Sequence, residues 1–417
     1  MTGGIWFTAG VLITVLWVAR RVAIGAVLRR DPAVSPRPGS PGAAAPPSAL
    51  RVTVLVAAKD EEDNVEACVR SLLEQDYPNF RVVAIDDRSA DRTAEILDRL
   101  ARHHPDRLDV LHVRELPEGW FGKYHALHAG VQRADGDWLL FTDADCRFFS
   151  PAALSTAVAE AGRRRAELFS LTPALIIERA WEHVVQPVCA AILMLWFRPR
   201  RVNDPARSDA YANGAFLLIT RACYDACGGH ARVRDQTCED MALARIAKAS
   251  GRRISVARNE GVYGTRMYTT IREAWRGWSR IYFGALRTRT RIGLAIAFLC
   301  LFTLAPWASL MAASIGWWAA GAASTATTAN TASTASVGWW PALVGIWAAA
   351  CAAQLWSVAR WYGLAGSRAR WCFAYPVGGV FALGVLMDAL LKAMGWTDTV
   401  WRGGRYRGGR QVLGVRE

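Results

Sequence analysis

Asp143 and Asp145 end an uninterrupted apolar run, Trp138-Leu139-Leu140-Phe141, with only Thr142 before them and Ala144 between them. The run predicts a strand buried on both faces. In an extended chain residues i and i+2 point to the same side. The two carboxylates can therefore converge at the strand's C-terminal end, where open α/β sheets bind ligands. Paired hard oxygens there suit Mg²⁺ or Mn²⁺ bridging a diphosphate. The same residues also fit a solvated turn, because Asp is a favoured turn residue.

Further acidic clusters fall where other elements start or stop. Lys59-Asp60-Glu61-Glu62 and Asp86-Asp87-Arg88-Ser89 each follow an apolar run, and Glu239-Asp240 opens a predicted helix. Ends of successive strands in a parallel sheet share one rim, so these acids are expected to be neighbours in space. Clustered carboxylates repel unless a cation or donors neutralise them. A divalent cation and a nucleotide are the economical explanation, although each cluster alone also reads as a surface turn.

The elements that must position these groups alternate. Residues 52–58, 80–85, 108–113, 138–141, 216–220 and 254–257 read as strands; residues 64–75, 90–103, 124–133 and 241–250 read as helices. That order implies βαβ units and a mostly parallel sheet. Tyr211-Ala212-Asn213-Gly214-Ala215 precedes a strand and reads equally as an acceptor-site wall or a turn. Gly228-Gly229-His230 reads as a turn, with His230 a secondary candidate for substrate contact.

The rest of the chain has a membrane composition. Of 417 residues 52% are hydrophobic, and residues 292–359 contain no Asp, Glu, Lys or Arg. A spanning helix needs about 20 apolar residues, so this run holds two helices and a connection, the Ala/Ser/Thr-rich residues 319–337. A third apolar segment, residues 371–387, continues into Asp388 and Lys392, an i, i+4 pair. It reads either as a spanning helix or as an interfacial one. Residues 5–19 are apolar and are followed by Arg20, Arg21, Arg29 and Arg30. Charge after the apolar core points to an uncleaved anchor with the arginines inside. The net charge of +14 is concentrated beside the apolar segments. That favours positive-inside anchoring and anionic lipid over nucleic acid. Nine cysteines without a CxxC pair argue against a zinc site or a disulfide framework. The expected organisation is an anchor (1–30), a Pro/Ala-rich linker (31–50), an α/β domain (51–285), C-terminal membrane helices (286–398) and a basic tail (399–417). Trp275, Trp278, Tyr282 and Phe283 read as an interfacial aromatic belt, compatible with a lipid entrance.

The ordered motifs resemble those of the family 2 glycosyltransferases. They are Val56-Ala57-Ala58-Lys59-Asp60-Glu61-Glu62, Ile85-Asp86-Asp87-Arg88-Ser89 with Asp91-Arg92-Thr93, Thr142-Asp143-Ala144-Asp145, and Cys238-Glu239-Asp240. Gly119-Trp120-Phe121-Gly122-Lys123 resembles the hopanoid-associated and carotenoid-type branch, and Trp401-Arg402-Gly403-Gly404-Arg405-Tyr406 resembles the tail of ceramide glucosyltransferases. The resemblance covers residues 51–283 and implies a GT-A fold, Rossmann-like, with transmembrane α-helices outside it.

By that resemblance, Glu61 and Asp86 or Asp87 would hold the base and ribose of a nucleotide-sugar. Asp143 and Asp145 would place Mg²⁺ or Mn²⁺ on its diphosphate, Asp240, next to Glu239, would be the general base, and Lys123 would sit near the nucleotide. The family's Q-x-x-R-W motif is degenerate at Arg276-Gly277-Trp278-Ser279-Arg280-Ile281, where only Arg280 holds its place. Its erosion argues for transfer of a single sugar. The chemistry is consistent with these roles. A divalent cation stabilises a leaving diphosphate, and an acceptor hydroxyl needs a base. The expectation is an inverting, metal-dependent transferase that moves one sugar, from a UDP-sugar, to a membrane lipid. It would be a multi-pass cell-membrane protein with a cytoplasmic catalytic domain and no nucleic-acid partner. Alternatives are a polyprenyl-phosphate or polysaccharide acceptor, or a non-catalytic membrane scaffold. Three crossings after a cytoplasmic domain would put the basic tail outside, in conflict with its charge, unless the last apolar segment is interfacial or re-entrant.

Overall fold

The computed structural model describes residues 2–36, 50–326, 338–401, 404–407 and 410–411. It divides into two compact units that do not follow chain order. One is Asp31–Ile176, Leu193–Arg287 and Leu391–Glu417; the other is Met1–Arg30, Ile177–Ile192 and Thr288–Leu390.

The first unit is α/β. Its strands are β1 (Ala33–Val34), β2 (Val52–Ala58), β3 (Phe80–Asp87), β4 (Leu108–Val113), β5 (Trp138–Asp143), β6 (Cys146–Phe148), β7 (Leu168–Leu171), β8 (Ala174–Leu175), β9 (Leu217–Thr220), β10 (Ile254–Asn259) and β11 (Tyr263–Thr265). Eight of them form one sheet in the order β1-β10-β7-β9-β5-β2-β3-β4. All pairings are parallel except those of β9, which runs antiparallel between β5 and β7. This is the mostly parallel α/β sheet expected from the alternation.

The sheet is buried on both faces because its strands are apolar at successive positions. Val52, Val54, Val56 and Ala58 pack with α2 (Val65–Leu73), α3 (Thr93–His103) and α5 (Ala153–Arg163). Leu55, Ile85, Leu139 and Phe141 point the other way, to α4 (Gly122–Val131) and α10 (Glu239–Ala249), which follows the short helices α7 (Pro199–Val202), α8 (Arg221–Ala226) and α9 (Gly229–Arg232). Truncating a fully buried residue such as Leu55 to Ala would cost ~2–5 kcal/mol. The register then fixes the rim: Ala57 pairs with Asp143 and Ala58 with Asp86, so the ends of β2, β3 and β5 are level. The helix α11 (Ile271–Leu286) completes the unit and starts with a capping box between Thr270 and Glu273. Its Trp278 and Tyr282 are buried, with ring centroids 5.7 Å apart. These two are core residues one turn apart on the inner helix face, not the exposed interfacial belt read from their composition.

The second unit is helical. It is built on α1 (Thr2–Arg30), part of α6 (Ala180–Trp196), α12 (Arg289–Phe298), a π-helical stretch (Leu299–Leu304) and α13 (Ala305–Ala326). Next come α14 (Trp340–Leu364), a 3₁₀ turn (Ala369–Ala374) and α15 (Tyr375–Met394), the last turn of which enters the other unit. Among the described residues, five stretches are long and apolar enough to cross a membrane: Gly3–Val27, Ala180–Val202, Arg289–Ala322, Trp340–Leu364 and Ala369–Met394. The sequence reading has four of them. It does not distinguish the stretch at Ala180, which interrupts the α/β pattern between β8 and β9. Most of the linker, part of the connection at 319–337 and Arg402 lie outside the described residues. The tail contributes three short antiparallel strands, Thr399–Trp401, Gly404–Arg407 and Arg410–Gln411.

Candidate active site

A pocket of about 180 Å³ opens at the level ends of β2, β3 and β5. Glu61, Asp87, Asp143, Asp145 and Glu239 line it together with Lys123 and Arg280. Residues more than 200 positions apart in sequence thus meet on one rim, as the strand-end argument requires.

Each side chain is delivered by a specific local feature. Glu61 follows β2, and its Oε2 accepts from Asn64 Nδ2 at 3.0 Å. Asp87 ends β3 and accepts from Arg88 Nε at 2.9 Å. A Cβ on Gly122 would collide with Asp87 Oδ2 and Arg88 Nη2, so a larger residue where α4 begins would displace the Asp87–Arg88 pair. Asp143 ends β5, and the hydroxyl of neighbouring Thr142 donates to the Ala215 carbonyl at 2.8 Å. That bond joins the Asp143-Ala144-Asp145 segment to the turn before β9. Lys123 stands in the first turn of α4. Trp120, Phe121 and Tyr124 anchor that turn as a small buried cluster, and the Tyr124 hydroxyl donates to the Thr237 carbonyl at 3.0 Å. This ties α4 to the segment leading into α10.

Lys123 is the electrostatic centre. Its Nζ lies 2.5 Å from Asp143 Oδ1 and 3.0 Å from Glu239 Oε1. Burial disfavours its charge, but the Asp143 and Glu239 carboxylates outweigh burial and hold its pKa above the ordinary lysine value. Burial pushes Glu239 up as well; Lys123 more than offsets this and leaves it below the usual carboxylate range. Asp240 differs. Burial and the adjacent Glu239 charge raise it to about 7, against Lys123 and the N–H donors of Met241 and Gly214. The Gly214 N–H donates to Asp240 Oδ2 at 2.7 Å. A Cβ on Gly214 would lie 3.3 Å from Glu239 Oε1, 3.3 Å from Lys123 Nζ and 3.4 Å from Asp240 Oδ2. Gly214 is thus the point where these three groups converge.

Three candidates stand off the pocket wall. Asp86 is buried, accepts from the Ser89 N–H at 3.1 Å and pairs with His112 Nδ1 at 3.2 Å, so it shapes the turn. Asp240 stands behind Glu239 and reaches the site through Gly214. His230 is a core residue: it is buried, bonded to the Tyr224 hydroxyl at 2.8 Å, and desolvation pushes its pKa down to about 3. Pro173, Thr265, Met267 and Tyr268 line the pocket without any prior signal in the sequence. The one indirect clue is Gly277, where a Cβ would collide with the Tyr268 ring and hydroxyl.

For a divalent metal, Asp143 and Asp145 present hard oxygens to the same pocket. Among the described residues no group of three or more His, Cys, Asp or Glu is arranged to hold a metal. The pair fits an open site that would leave most coordination positions to oxygen donors from outside the protein, as is usual for Mg²⁺.

Residues 53–205 match the Glycosyl transferase family 2 description. The 4,4'-diaponeurosporenoate glycosyltransferase of Staphylococcus aureus (strain USA300) is 26% identical over 249 residues, 59% of this chain and 64% of the relative. The chain therefore spans less than two thirds of that relative's length. Among solved structures, the mannosyltransferase PcManGT from Pyrobaculum calidifontis, in complex with GDP-Man and Mn²⁺, aligns over 84% of this chain and 99% of its own. Its TM-score is 0.46 and its identity 22%. With its strand-end acids on one rim of a mostly parallel sheet, the chain resembles the family 2 glycosyltransferases of GT-A fold and carries their domain over residues 53–205.

Proposed function

We propose that this chain is an inverting, metal-dependent glycosyltransferase that moves one sugar from a nucleotide-sugar, a UDP-sugar, to a hydroxyl of a lipid acceptor. The observation that carries the reading is the convergence of Lys123, Glu239 and Asp240 at Gly214, beside a pocket walled by Glu61, Asp87, Asp143 and Asp145. Glu61 and Asp87 hold the nucleoside, with Asp86 setting the turn that carries Asp87. Asp143 and Asp145 would hold Mg²⁺ or Mn²⁺, which would supply charge stabilisation for a departing diphosphate. Lys123 and Arg280 add positive charge to the pocket lining. Asp240 removes the acceptor proton as the hydroxyl attacks. A pKa near neutral suits that task, because general-base efficiency peaks when the pKa lies near the working pH. Glu239 keeps its charge and, through repulsion, keeps Asp240 basic.

The acceptor half of the reading draws on the apolar helices and on the S. aureus relative, named for 4,4'-diaponeurosporenoate. Arginines beside the apolar segments favour a multi-pass cell-membrane protein with its α/β unit in the cytoplasm. The test is product mass spectrometry. Purified protein is incubated with Mn²⁺, a panel of nucleotide-sugars and a membrane lipid extract. The expected product is one lipid species heavier by a single sugar. Sugar found only on polyprenyl phosphate or polysaccharide would overturn the acceptor assignment. No transfer, with no UDP binding in calorimetry, would leave a scaffold.

A further inference from the structure

The connections between the helices restrict which of them can cross a bilayer. The chain leaves the α/β unit after β8, passes through α6 and returns to it before β9. β7 and β9, which flank this excursion, are hydrogen-bonded neighbours in the sheet. An open sheet cannot straddle hydrocarbon, where unpaired backbone is not tolerated, so both ends of α6 open on one side. α1 leads directly into Asp31, where the α/β unit begins.

Within the helical unit, α1 and α14 run in the same direction. The Trp6 ring meets Trp340 and Trp347, each at 6.4 Å, and the Arg21 guanidinium lies 5.0 Å over the Trp356 ring. The C-terminal end of α14 therefore opens where α1 ends, on the α/β side. The intervening stretch runs the opposite way: Trp6 Nε1 donates to Ser309 Oγ at 3.3 Å, and Trp17 Nε1 to the Phe302 carbonyl at 3.1 Å. α15 starts a short turn after α14. Its last turn carries Lys392, whose Nζ donates to Ser279 Oγ on α11 at 2.6 Å, inside the α/β unit. Both of its ends open on the same side, although 20 residues of helix reach about 30 Å, enough to cross.

We propose that α6 and α15 do not cross the bilayer but pair as an in-plane platform in the leaflet on the α/β side, with the outer face of α15 seated in lipid acyl chains. Gly378 brings the two helices into backbone contact: a Cβ there would collide with the Val184 carbonyl oxygen and lie 2.7 Å from Val188 Cγ2. Polar groups of α6 are met from within the unit. His183 Nδ1 bonds Ser367 Oγ at 2.8 Å, and Trp361 Nε1 donates to the Pro187 carbonyl at 2.7 Å. Away from that contact, Phe373, Val377, Val380 and Met387 are exposed on one stripe at helical spacing. Arg368 and Arg370 are exposed at its start, where anionic headgroups would meet them. Only α1, the stretch 289–326 and α14 then cross, and the basic tail stays on the α/β side.

The test uses sealed membrane vesicles of each orientation carrying the full, untagged chain, with tryptic peptides identified by mass. Cleavage at Arg368 or Arg370 and at Arg405 or Arg407 is expected from the face that also cuts at Arg234 in the α/β unit, and not from the other face. Cleavage of the two groups from opposite faces would overturn the proposal. Spin labels at V377C, V380C and M387C give a second readout. One shared shallow depth supports the platform, and a depth passing through the bilayer centre overturns it. The inference rests on the chain being membrane-embedded; release of the protein by alkaline carbonate would overturn that reading separately.

Discussion

Lys123 places one ammonium between Asp143, at 2.5 Å, and Glu239, at 3.0 Å, and so joins the proposed metal acids to the neighbour of the proposed base. Its charge is also one of the influences that lower the Asp240 pKa. Removing it leaves two carboxylates without their shared counter-ion. In K123M the acidic limb of the pH–rate profile should move up by about one unit, the lower end of what one charge at this range contributes. K123R should restore most of the shift. A profile unmoved in K123M would show that Lys123 is not coupled to the base.

Asp240 sets the pH dependence itself. The base acts only when ionised, so turnover should rise with pH through about 7 and level off above it. D240N should lose about 10²–10⁴-fold in kcat while retaining UDP binding. Stability has the opposite sign. Because the folded pKa is raised, between the ordinary carboxylate value and about 7 the folded protein holds a proton that the unfolded chain releases. This group's contribution therefore falls as pH rises through that window. Stopped transfer with unchanged UDP affinity in D240N is the decisive pair of measurements, and near-normal turnover would move the base elsewhere.

Asp143 and Asp145 make a separate prediction about metal. With Asp143 and Asp145 as its two proposed protein ligands, Mn²⁺ should bind weakly alone and tightly with UDP, since the phosphates would complete the coordination. Calorimetry with and without UDP measures this directly. D143N and D145N should each abolish the UDP-dependent gain. Equal Mn²⁺ affinity in all three proteins would exclude these residues as ligands.

The rim was legible because two sequence features coincide: apolar strands that leave no doubt about their type, and acids placed at their ends. Register did the rest, since Ala57 opposite Asp143 and Ala58 opposite Asp86 leave the acids level. What stayed hidden depends on contacts between distant segments. Asp86 and Asp87 are adjacent and chemically identical, and only the His112 and Ser89 partners distinguish the turn-forming acid from the one on the wall. Pro173 and Tyr268 belong to loops with no pattern of their own. α6 was masked by its position, because an apolar helix inside an α/β domain has the composition of a core helix. Trp278 and Tyr282 misled for the converse reason: aromatic residues before a membrane segment suit both a belt and a core.

Gly277 and Tyr268 give the most local test. Any side chain on Gly277 would enter the space of the Tyr268 ring, which lines the pocket. The residue lies on α11 one turn before Arg280, so a displaced ring would also disturb the wall that Arg280 forms. G277A should lower thermal stability by ~1–3 kcal/mol, the usual cost of overpacking, and should weaken UDP binding. Y268A removes the atoms that collide. The double variant G277A/Y268A should therefore be more stable than the sum of the two single losses implies, by roughly 0.5–3 kcal/mol of coupling. A double-mutant cycle of thermal melts read by UDP binding measures this. Strict additivity would mean that Gly277 serves only the backbone of α11 and that the Tyr268 contact is dispensable.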